Sequence, residues 1–421
     1  MTKQLRVWLG HRWRLGMRRA LAALPASARF GLYRSLIDCR TRLDDAYEFK
    51  IAQTREELES CFSLLHDAYV ASGFMKPHPS GLRVTPYHAL PTTTTLCAKF
   101  AGQVVGTLSI VRDGVFGFPM QSAFDISGVR AREGRIAEIS ALAIHPSYRQ
   151  TGGTILFPLM KFMYEYCTRF FDTRHLVIAV NPNRIEMYES LLFFQRLQTQ
   201  VVDRYDFANG APAVGATLDL HEAPEVFKRA YDGKSQRRNL YRYFVDLELP
   251  QIRFPDRTWA VSNDPILTPM LVDYFFNQRT QGFAALDPRR RRLLHSIYAG
   301  PEWQAILPPL GEQTDFGGGL RRNPRFTFKC SGMMTPIDEP GAPRELTIVE
   351  ISNQGFQARS GEPLRRGQQF TVRAELGAGI CTSVSAMAVR TLTRDGEQLF
   401  GCKVLEADES WRNCLAWLEG A

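Results

Sequence analysis

The sequence predicts two folded parts, an α/β domain with a mixed sheet and a helical extension, followed by a small all-β barrel. Strand-like and helical segments alternate up to about residue 215, as in a single mixed α/β layer structure. From about residue 219 to 311 the pattern is mostly helical and rich in basic residues. Beyond the three glycines at 317–319, short strand-like runs separated by Gly/Pro turns predict a barrel with a terminal helix.

The elements of the α/β part follow from hydrophobic periodicity and turn residues. Thr54 can serve as a helix N-cap and Glu57 completes a capping box, so residues 54–70 are predicted to be helical. Strand-like runs at 96–100 and 104–112, separated by a three-residue turn, predict a hairpin. The other predicted elements are strands at 49–52, 136–144 and 176–180 and helices at 155–171 and 183–192.

The same criteria divide the rest of the chain. Helices are predicted at 267–278 and at 287–298, the latter because Asp287 can cap it and Pro288 stands in its first turn. Barrel strands are predicted at 325–329, 345–351, 369–375, 385–393 and 398–405, before a final helix. The predicted divisions are a basic N-terminal helical segment at 1–45, an α/β core at 46–215, its helical extension at 216–316 and the barrel at 317–421.

Composition and charge limit the classes of function. The chain is 44% hydrophobic and carries a formal net charge of +9, which favours anionic partners, but no nucleic-acid-binding motif accompanies the charge. The eight cysteines form no CxxC pair, so we expect reduced thiols in the cytoplasm rather than a disulfide framework or a zinc site. The histidines are equally scattered. We therefore expect no metal and no tightly bound cofactor.

The N-terminal segment is strongly basic. Several cations precede the first acid, Asp38, while the apolar stretch at 20–24 is short for a secretory signal and is interrupted by Pro25. No apolar run approaches the length of a membrane span. Two interpretations remain open: a basic helix lying on the inner face of the inner membrane, or a basic helix packed against the rest of the protein.

Two runs of sequence carry a family resemblance. Residues 138–153 are EISALAIHPSYRQTGG and residues 176–194 are LVIAVNPNRIEMYESLLFF. They resemble the central strand with its donor-binding turn, and the later strand and helix, of the GNAT superfamily of acyltransferases. The resemblance implies an α/β GNAT acyltransferase fold and a thioester donor on phosphopantetheine. Arg149, Gly152 and Gly153 match the loop whose backbone N–H groups cradle the donor's pyrophosphate at a helix N-terminus.

The loop departs from the family pattern at one position. Thr154 stands where a third small residue is usual, and its side chain would narrow the space beside a pyrophosphate. We therefore expect the acyl-phosphopantetheine donor to be presented on an acyl carrier protein rather than as acyl-CoA. An acetyl-CoA-dependent acetyltransferase remains the alternative.

The resemblance assigns roles to four residues in acyl transfer to an amine. Glu138 stands in the middle of an apolar strand, where a charge is costly unless paired or functional, and it matches a general base; a solvated strand face is the alternative. Tyr188 matches a proton donor to the leaving thiolate, or packs in the core. Asn181 either binds the pantetheine arm or caps the next helix. A backbone N–H near Leu142 would hold the oxyanion.

Within GNAT, residues from about 46 to 300 resemble the FeeM-type N-acyl amino acid synthases. The motifs above are joined by YFFN at 274–277 and LHSIY at 294–298. The resemblance implies transfer of a long acyl chain from acyl carrier protein to the α-amine of an amino acid. The basic clusters at 237–238 and 289–292 could meet the acidic carrier electrostatically, or form an ordinary solvated helix face.

The C-terminal part resembles a PilZ domain. Residues 321–325 supply an RxxxR motif through Arg321 and Arg325, with Arg322 beside it, and residues 350–355 are EISNQG. The resemblance implies binding of cyclic di-GMP by these arginines together with Glu350, Ser352 and Gly355, since guanidinium groups stack on guanine and fork onto phosphate. Glu350 replaces the usual Asp or Asn, which leaves a ligand-blind barrel open. A non-catalytic signalling adaptor is the remaining alternative.

Overall fold

A computed structural model describes residues 24–114, 116–132, 134–149, 152–171, 173–256, 267–298, 301–310, 326–337, 341–361, 363–377, 379–394 and 397–420. Some predictions concern positions outside the described residues. These positions are the basic residues before position 24, the glycines at 317–319, and Arg321, Arg322 and Arg325. Within these ranges no helix is long and apolar enough to cross a membrane. The same ranges hold no group of three His, Cys, Asp or Glu side chains arranged to bind a metal.

The first part of the chain is a mixed sheet with helices on both faces. In chain order its elements are α1 (Ala26–Ser35), β1 (Tyr47–Ile51), α2 (Arg55–Ala71), β2 (Thr93–Phe100), β3 (Gln103–Arg112), α3 (Ser127–Arg130), β4 (Arg135–Ile144), α4 (Leu156–Phe171), β5 (Thr173–Val180), α5 (Pro182–Leu192), β6 (Gln195–Arg196), β7 (Val202–Tyr205) and β8 (Ala211–Asp219). The strand order is β1-β2-β3-β4-β5-β8-β6, with β7 also paired to β8. Among the strands that the structure describes, β4 and β5 pair in parallel, and the other pairs of this sheet are antiparallel. The predicted mixed α/β sheet is confirmed.

Strand β8 was not predicted, and it crosses the division proposed at 215/216. It pairs with β5 from Val180↔Val214 to His175↔Asp219, so the sheet extends to Asp219. Gly215 lowers the strand propensity of this run. A Cβ at Gly215 would stand 2.6 Å from the Phe124 ring, so glycine is required by a tertiary contact that the local sequence does not reveal.

The two faces of the sheet carry different helices. Helix α4 covers one face and buries Leu159, Phe162 and Tyr166. Helix α2 covers the other face with Leu58 and Phe62. The predicted capping box at its start is confirmed, because the Glu57 N–H donates to Thr54 Oγ1 at 3.2 Å and the Thr54 N–H donates to Glu57 Oε2 at 3.4 Å.

The helical extension adds α6 (Ala223–Tyr231), α7 (Pro269–Asp273), α8 (Pro288–Ile297) and α9 (Pro301–Gln304). The helix predicted at 267–278 begins as α7 and continues as a π-helical segment at Tyr274–Arg279, which buries Phe275 and Phe276 in the core on the α2 side. The predicted cap of α8 is confirmed, since the Arg290 N–H donates to Asp287 Oδ1 at 2.8 Å.

The C-terminal part is a closed antiparallel barrel, as predicted. Its strands are β9 (Phe326–Pro336), β10 (Arg344–Ser352), β11 (Gly355–Ser360), β12 (Gln369–Gly377), β13 (Ile380–Arg394) and β14 (Glu397–Ala407). They close in the order β10-β11-β14-β13-β12-β9. Helix α10 (Glu409–Gly420) follows, and its buried Trp411 packs on Phe356 with ring centroids 5.9 Å apart. Strand β11 was not predicted; it forms a hairpin with β10.

Candidate functional site

The parallel strands β4 and β5 are paired along only part of their length. Their pairing begins at Arg135↔Thr173 and ends at Glu138↔Val177, although β4 continues to Ile144 and β5 to Val180. Beyond Glu138 the facing edges of the two strands are therefore not joined to each other. Backbone N–H and C=O groups along such an edge can bind an extended ligand as an added strand would.

A bulge in β4 sets the direction of its backbone groups at this gap. The register with β3 shifts between Thr107↔Ala143 and Ser109↔Ser140, and Ala141 has φ +55°. Beyond the bulge the His145 N–H donates to the Val105 carbonyl at 2.9 Å. Because alternate residues direct their N–H groups to opposite edges of a strand, the Leu142 N–H faces the β5 side. It is thus placed to meet an atom in the gap.

Two glycines between β4 and α4 have a left-handed backbone conformation. Gly152 and Gly153 have φ of +68° and +78°, and a Cβ on Gly153 would stand 2.4 Å from the Phe157 ring, while Gly152 has open space beside it. Arg149 ties the loop to β4 by donating from Nε to the Ile144 carbonyl at 2.8 Å. The loop thus leads into the N-terminus of a 16-residue helix, where backbone N–H groups favour an anion.

Thr154 is buried, with only 3% of its surface exposed. That it narrows the space beside a pyrophosphate, and so favours a carrier-protein donor, stays a prediction.

Glu138 is buried at the end of the paired region of β4 and β5. It is 1% exposed, and the Met120 N–H donates to its Oε2 at 2.9 Å. Burial raises the pKa of this carboxyl from its ordinary value of 4.5 to about 8, although the Met120 hydrogen bond opposes the shift. The alternative that Glu138 lies on a solvated strand face is wrong. A buried carboxyl with a pKa near neutrality is suited to proton transfer.

Three tyrosines lie around Glu138. Tyr69, Tyr87 and Tyr205 all stand within electrostatic range of its carboxylate. They come from α2, from the segment before β2, and from β7. Burial raises the pKa of each phenol, so the hydroxyls stay protonated and can donate hydrogen bonds at neutral pH. None of the three was predicted, because nothing local distinguishes them from core tyrosines.

Arg83, also absent from the predictions, completes this cluster. Its Cζ stands 4.0 Å from the Tyr69 ring centroid and 5.0 Å from that of Phe207. Its Nη2 donates to the Phe207 carbonyl at 2.9 Å. We call Tyr69, Arg83, Tyr87, Glu138 and Tyr205 the acceptor cluster. It lies on the face of the sheet covered by α2, opposite α4.

Tyr188 and Asn181 lie on and before α5. Tyr188 is partly buried and packs on Phe194 with centroids 5.8 Å apart. Burial raises its pKa to about 12, with Arg184 opposing the shift and nearby Tyr69 adding to it. Tyr188 is therefore protonated at neutral pH and lies within range of the acceptor cluster. Asn181 caps α5, accepting from the Asn183 N–H at 3.0 Å, so the capping alternative is confirmed.

An apolar cavity of about 50 Å³ lies beneath α4. Its walls include Met160 and Met163 of α4, Leu218 of β8, and Phe227 and Phe244 of the helical extension. The cavity by itself does not indicate whether the transferred acyl group is long or short.

The barrel places part of its predicted ligand set in one hairpin. Glu350 and Ser352 end β10, and Gly355 begins β11. The Ser352 hydroxyl donates to the Gly355 carbonyl at 3.0 Å. Gly355 does not have a positive φ, but a Cβ there would collide with the Cys402 carbonyl oxygen. Glycine is required because β14 passes so close.

The basic clusters differ in how far their charges are engaged. Arg237 pairs with Asp38 at 2.7 Å and Arg290 with Asp287 at 3.7 Å. Arg291 donates to the Leu286 carbonyl at 3.0 Å. Arg289 and Arg292 are exposed on α8. Arg238 of the other cluster is exposed too, so both clusters present side chains that a protein partner could contact.

Comparison with known proteins adds a family match. The family described as N-acyl amino acid synthase FeeM matches residues 60–219. No curated protein has significant sequence similarity to the chain. The match runs from within α2 to the end of β8 and so includes the gap, the glycine loop, Glu138 and Tyr188.

Solved structures similar to part of the chain include three acyltransferases. FeeM, an N-acyl amino acid synthase from uncultured soil microbes, is 21% identical over 42% of this chain and 93% of its own, with a TM-score of 0.37. The CoA-dependent acyl-homoserine lactone synthase BjaI is 17% identical over 50% and 95%, with a TM-score of 0.35. The putative acetyltransferase yncA from Salmonella typhimurium is 18% identical over 42% and 95%, with a TM-score of 0.31.

Proposed function

From the premise that residues 60–219 form an N-acyltransferase domain with a GNAT-like fold, we propose that the chain is an N-acyl amino acid synthase. It transfers a long-chain acyl group from acyl carrier protein to the α-amine of an amino acid. The observation that carries the proposal is the buried Glu138, at the point where β4 and β5 part, among protonated tyrosines. A thioester lying in the gap would reach a carboxylate base on the α2 face of the sheet.

The reaction assigns one task to each group. Glu138 takes a proton from the acceptor's ammonium, and the amine nitrogen attacks the thioester carbonyl. The carbon–nitrogen bond forms, and the Leu142 N–H holds the oxyanion. The carbon–sulfur bond then breaks. The second proton lost by the nitrogen reaches the leaving thiolate with Tyr188 as relay, and Glu138 releases its proton to water.

The donor is proposed to bind along the unpaired edges of β4 and β5, with its phosphates at the glycine loop. Positive φ at Gly152 and Gly153 and the start of α4 support this placement. Arg149 orders the loop through its bond to Ile144. A carrier-protein donor is supported by the exposed Arg289 and Arg292, since carrier proteins are acidic.

Mass spectrometry of lipid extracts from a host expressing the chain tests the proposal. We expect amides of a fatty acyl group with an amino acid, absent from the empty-vector control. A Glu138→Gln variant, soluble at the same level, should give no such products. An extract identical to the vector control, with soluble protein present, would reject the synthase function.

The choice of donor is tested separately with purified enzyme. Two donors with the same acyl chain are compared, one loaded on acyl carrier protein and one on CoA, with acetyl-CoA as the third donor. The Arg289→Glu/Arg292→Glu variant should raise KM for the carrier-protein donor by on the order of tenfold and leave acyl-CoA kinetics unchanged. Preference for acetyl-CoA would instead establish the acetyltransferase alternative.

The barrel is proposed to be a PilZ domain that regulates acyl transfer in response to cyclic di-GMP. The six-stranded closure and the hairpin holding Glu350, Ser352 and Gly355 support this assignment, with Arg321, Arg322 and Arg325 as the cationic side of the site. Regulation requires the ligand to bind two states of the enzyme with different affinity.

Calorimetry with cyclic di-GMP, run beside the acylation assay, tests the regulatory proposal. Arg325→Ala should abolish binding and Glu350→Asp should retain or tighten it, while Arg412→Ala on α10 serves as an exposed control. Binding with no change in acylation would reject regulation. Binding by Glu350→Asp alone would mark a barrel that has lost its ligand.

A further inference from the structure

Contacts on the α2 face of the sheet hold the cationic side chain of Arg83 in one position. Its guanidinium lies between the rings of Tyr69 and Phe207, at 4.0 and 5.0 Å from their centroids. One nitrogen donates to the Phe207 carbonyl at 2.9 Å. The Arg83 backbone is fixed as well, since its N–H donates to the Phe62 carbonyl at 3.0 Å. The plane of the guanidinium is thus oriented before any ligand arrives.

This positive charge has no carboxylate beside it in the described part of the chain. The neighbouring groups that act on the guanidinium are the phenols of Tyr69 and Tyr205. Two other arginines on aromatic rings differ: Arg279 lies over Tyr274 and pairs with Glu59, and Arg130 lies over Phe118 and pairs with Asp113 at 2.8 Å. A partly buried charge without a counter-ion is costly and is neutralised when an anion binds.

Arg83 and Glu138 have two neighbouring tyrosines in common. Tyr69 and Tyr205 each lie within electrostatic range of both the guanidinium and the carboxylate. Burial and the Met120 hydrogen bond, and not Arg83, determine the raised pKa of Glu138. The acceptor cluster therefore contains a guanidinium that can bind an anion and a carboxyl group that can bind a cation, with phenol groups near both. A zwitterionic α-amino acid has the complementary pair of charges.

We propose that Arg83 binds the α-carboxylate of the acceptor and so determines that the enzyme acylates amino acids rather than simple amines. The inference rests on the proposed function and names the residue that selects its substrate class. A planar guanidinium can take both oxygens of a carboxylate through two parallel hydrogen bonds. With the carboxylate held there, the ammonium group is directed towards Glu138.

A donor phosphate is a less suitable anion for this position. The glycine loop opens α4, which covers the opposite face of the sheet from α2. The donor's phosphates would lie at that loop, whereas Arg83 contacts α2 through Tyr69. The carboxylate belongs to the molecule that must reach Glu138 from the α2 face, which is the acceptor.

The test compares two acceptors, an amino acid that the enzyme acylates and the amine that lacks its α-carboxylate. It uses the wild type, Arg83→Gln and Arg83→Lys. The wild type should favour the amino acid in kcat/KM by on the order of 10- to 150-fold, as expected for charge-assisted hydrogen bonds. Arg83→Gln should lose that preference while its kcat/KM for the amine stays within about threefold of wild type. Arg83→Lys keeps the positive charge but loses the planar pair of hydrogen-bond donors. Its preference for the amino acid should lie between those of the wild type and Arg83→Gln.

Arg55→Gln is the matched control, because Arg55 also lies over an aromatic ring, that of Tyr274, but is exposed and remote from the acceptor cluster. It should leave both substrates unaffected. If Arg83→Gln lowers kcat/KM for amino acid and amine equally, with circular dichroism unchanged, Arg83 only supports the Phe207 segment and the proposal is wrong. Equal use of the two substrates by the wild type also contradicts it.

A thermal-shift titration with the same amino acids and amines needs no turnover and separates the two hypotheses. Stabilisation by an amino acid, absent with its amine and absent in Arg83→Gln, supports the carboxylate site even if no acylation is found. Acylation without any Arg83-dependent discrimination between the ligands supports the proposed function and overturns the inference.

Discussion

The sheet and the barrel of this protein are both built from strands but differ in how completely their strands are paired. In the barrel every strand has two paired neighbours and the ladder closes. In the sheet the central pair β4–β5 is joined only from Arg135 to Glu138 and is open beyond. The barrel keeps its candidate polar residues at the hairpin between β10 and β11, whereas the sheet buries Glu138 where pairing ends.

The difference shows where each region can do chemistry. Closure satisfies the backbone and leaves ligand binding to the hairpins and the residues beside them. Where the strand pairing stops, backbone groups inside the domain have no strand partner. The carboxyl of Glu138, at the end of the paired region, is buried away from water, and this burial raises its pKa. Mutations at the opening should therefore change the reaction, and mutations in the barrel wall should change stability.

The largest effect is expected for Glu138→Gln. Loss of the general base should lower kcat by about 10² to 10⁴-fold, measured with acyl donor and amino acid at saturation. Since Gln can accept the Met120 hydrogen bond as Glu does, the fold should be retained. Turnover like that of the wild type would show that Glu138 is not the general base.

The pH dependence sharpens the same test. The pKa of Glu138 is raised from 4.5 to about 8, so the base is ionised only as pH rises through about 8, and kcat/KM should rise with it. The folded state holds this proton more tightly than the unfolded chain, so Glu138 destabilises the fold increasingly from pH 4.5 to 8. In Glu138→Gln the rise of kcat/KM with pH through about 8 should be absent. The Tm of this variant should be higher than that of the wild type at pH 9, but not at pH 4.

The second effect concerns the closed wall of the barrel. In Gly355→Ala the new methyl would stand 2.1 Å from the Cys402 carbonyl oxygen, so β11 and β14 must separate. We expect about 2 to 4 kcal/mol of destabilisation by denaturant unfolding. Gly361→Ala, where a Cβ meets nothing within 4 Å, should change stability little. Loss of acylation in folded Gly355→Ala would show that the barrel wall and the site are not independent.

The smallest effect is expected for Glu57→Gln, the matched buried carboxyl of the sheet domain. Burial alone would raise its pKa, but hydrogen bonds from Lys99, the Gln53 N–H and Lys50 outweigh it and lower the pKa from 4.5 to about 2. This stabilisation is present above pH 4.5 and is lost as pH falls towards 2. The variant should lose about 1 to 2 kcal/mol at pH 7, with kcat unchanged. A large loss of kcat would show that any buried carboxyl of this domain affects turnover.

Much of the fold could be predicted because its signals are local. The capping box of Thr54 and Glu57, the cap of Asp287 and the alternating strands of the barrel each lie within a few residues of one another. Strands β8 and β11 were missed because tertiary neighbours determine them: Gly215 and Gly355 weaken strand propensity but admit Phe124 and Cys402. The π-helical segment at Tyr274–Arg279 also has a helical sequence pattern, and only packing distinguishes it.

The amino-acid sequence by itself indicated the fold class and most of its elements, the glycine loop before α4 and the presence of a charged residue in an apolar strand at Glu138. Tertiary structure alone decided what surrounds that charge. Met120 lies 18 residues from Glu138, and the Phe207 carbonyl lies 124 residues from the arginine that donates to it. The end of β4–β5 pairing, likewise, is a property of two strands together. Burial and register arise from contacts between distant segments, so no local pattern specifies the pKa of Glu138 or the environment of Arg83.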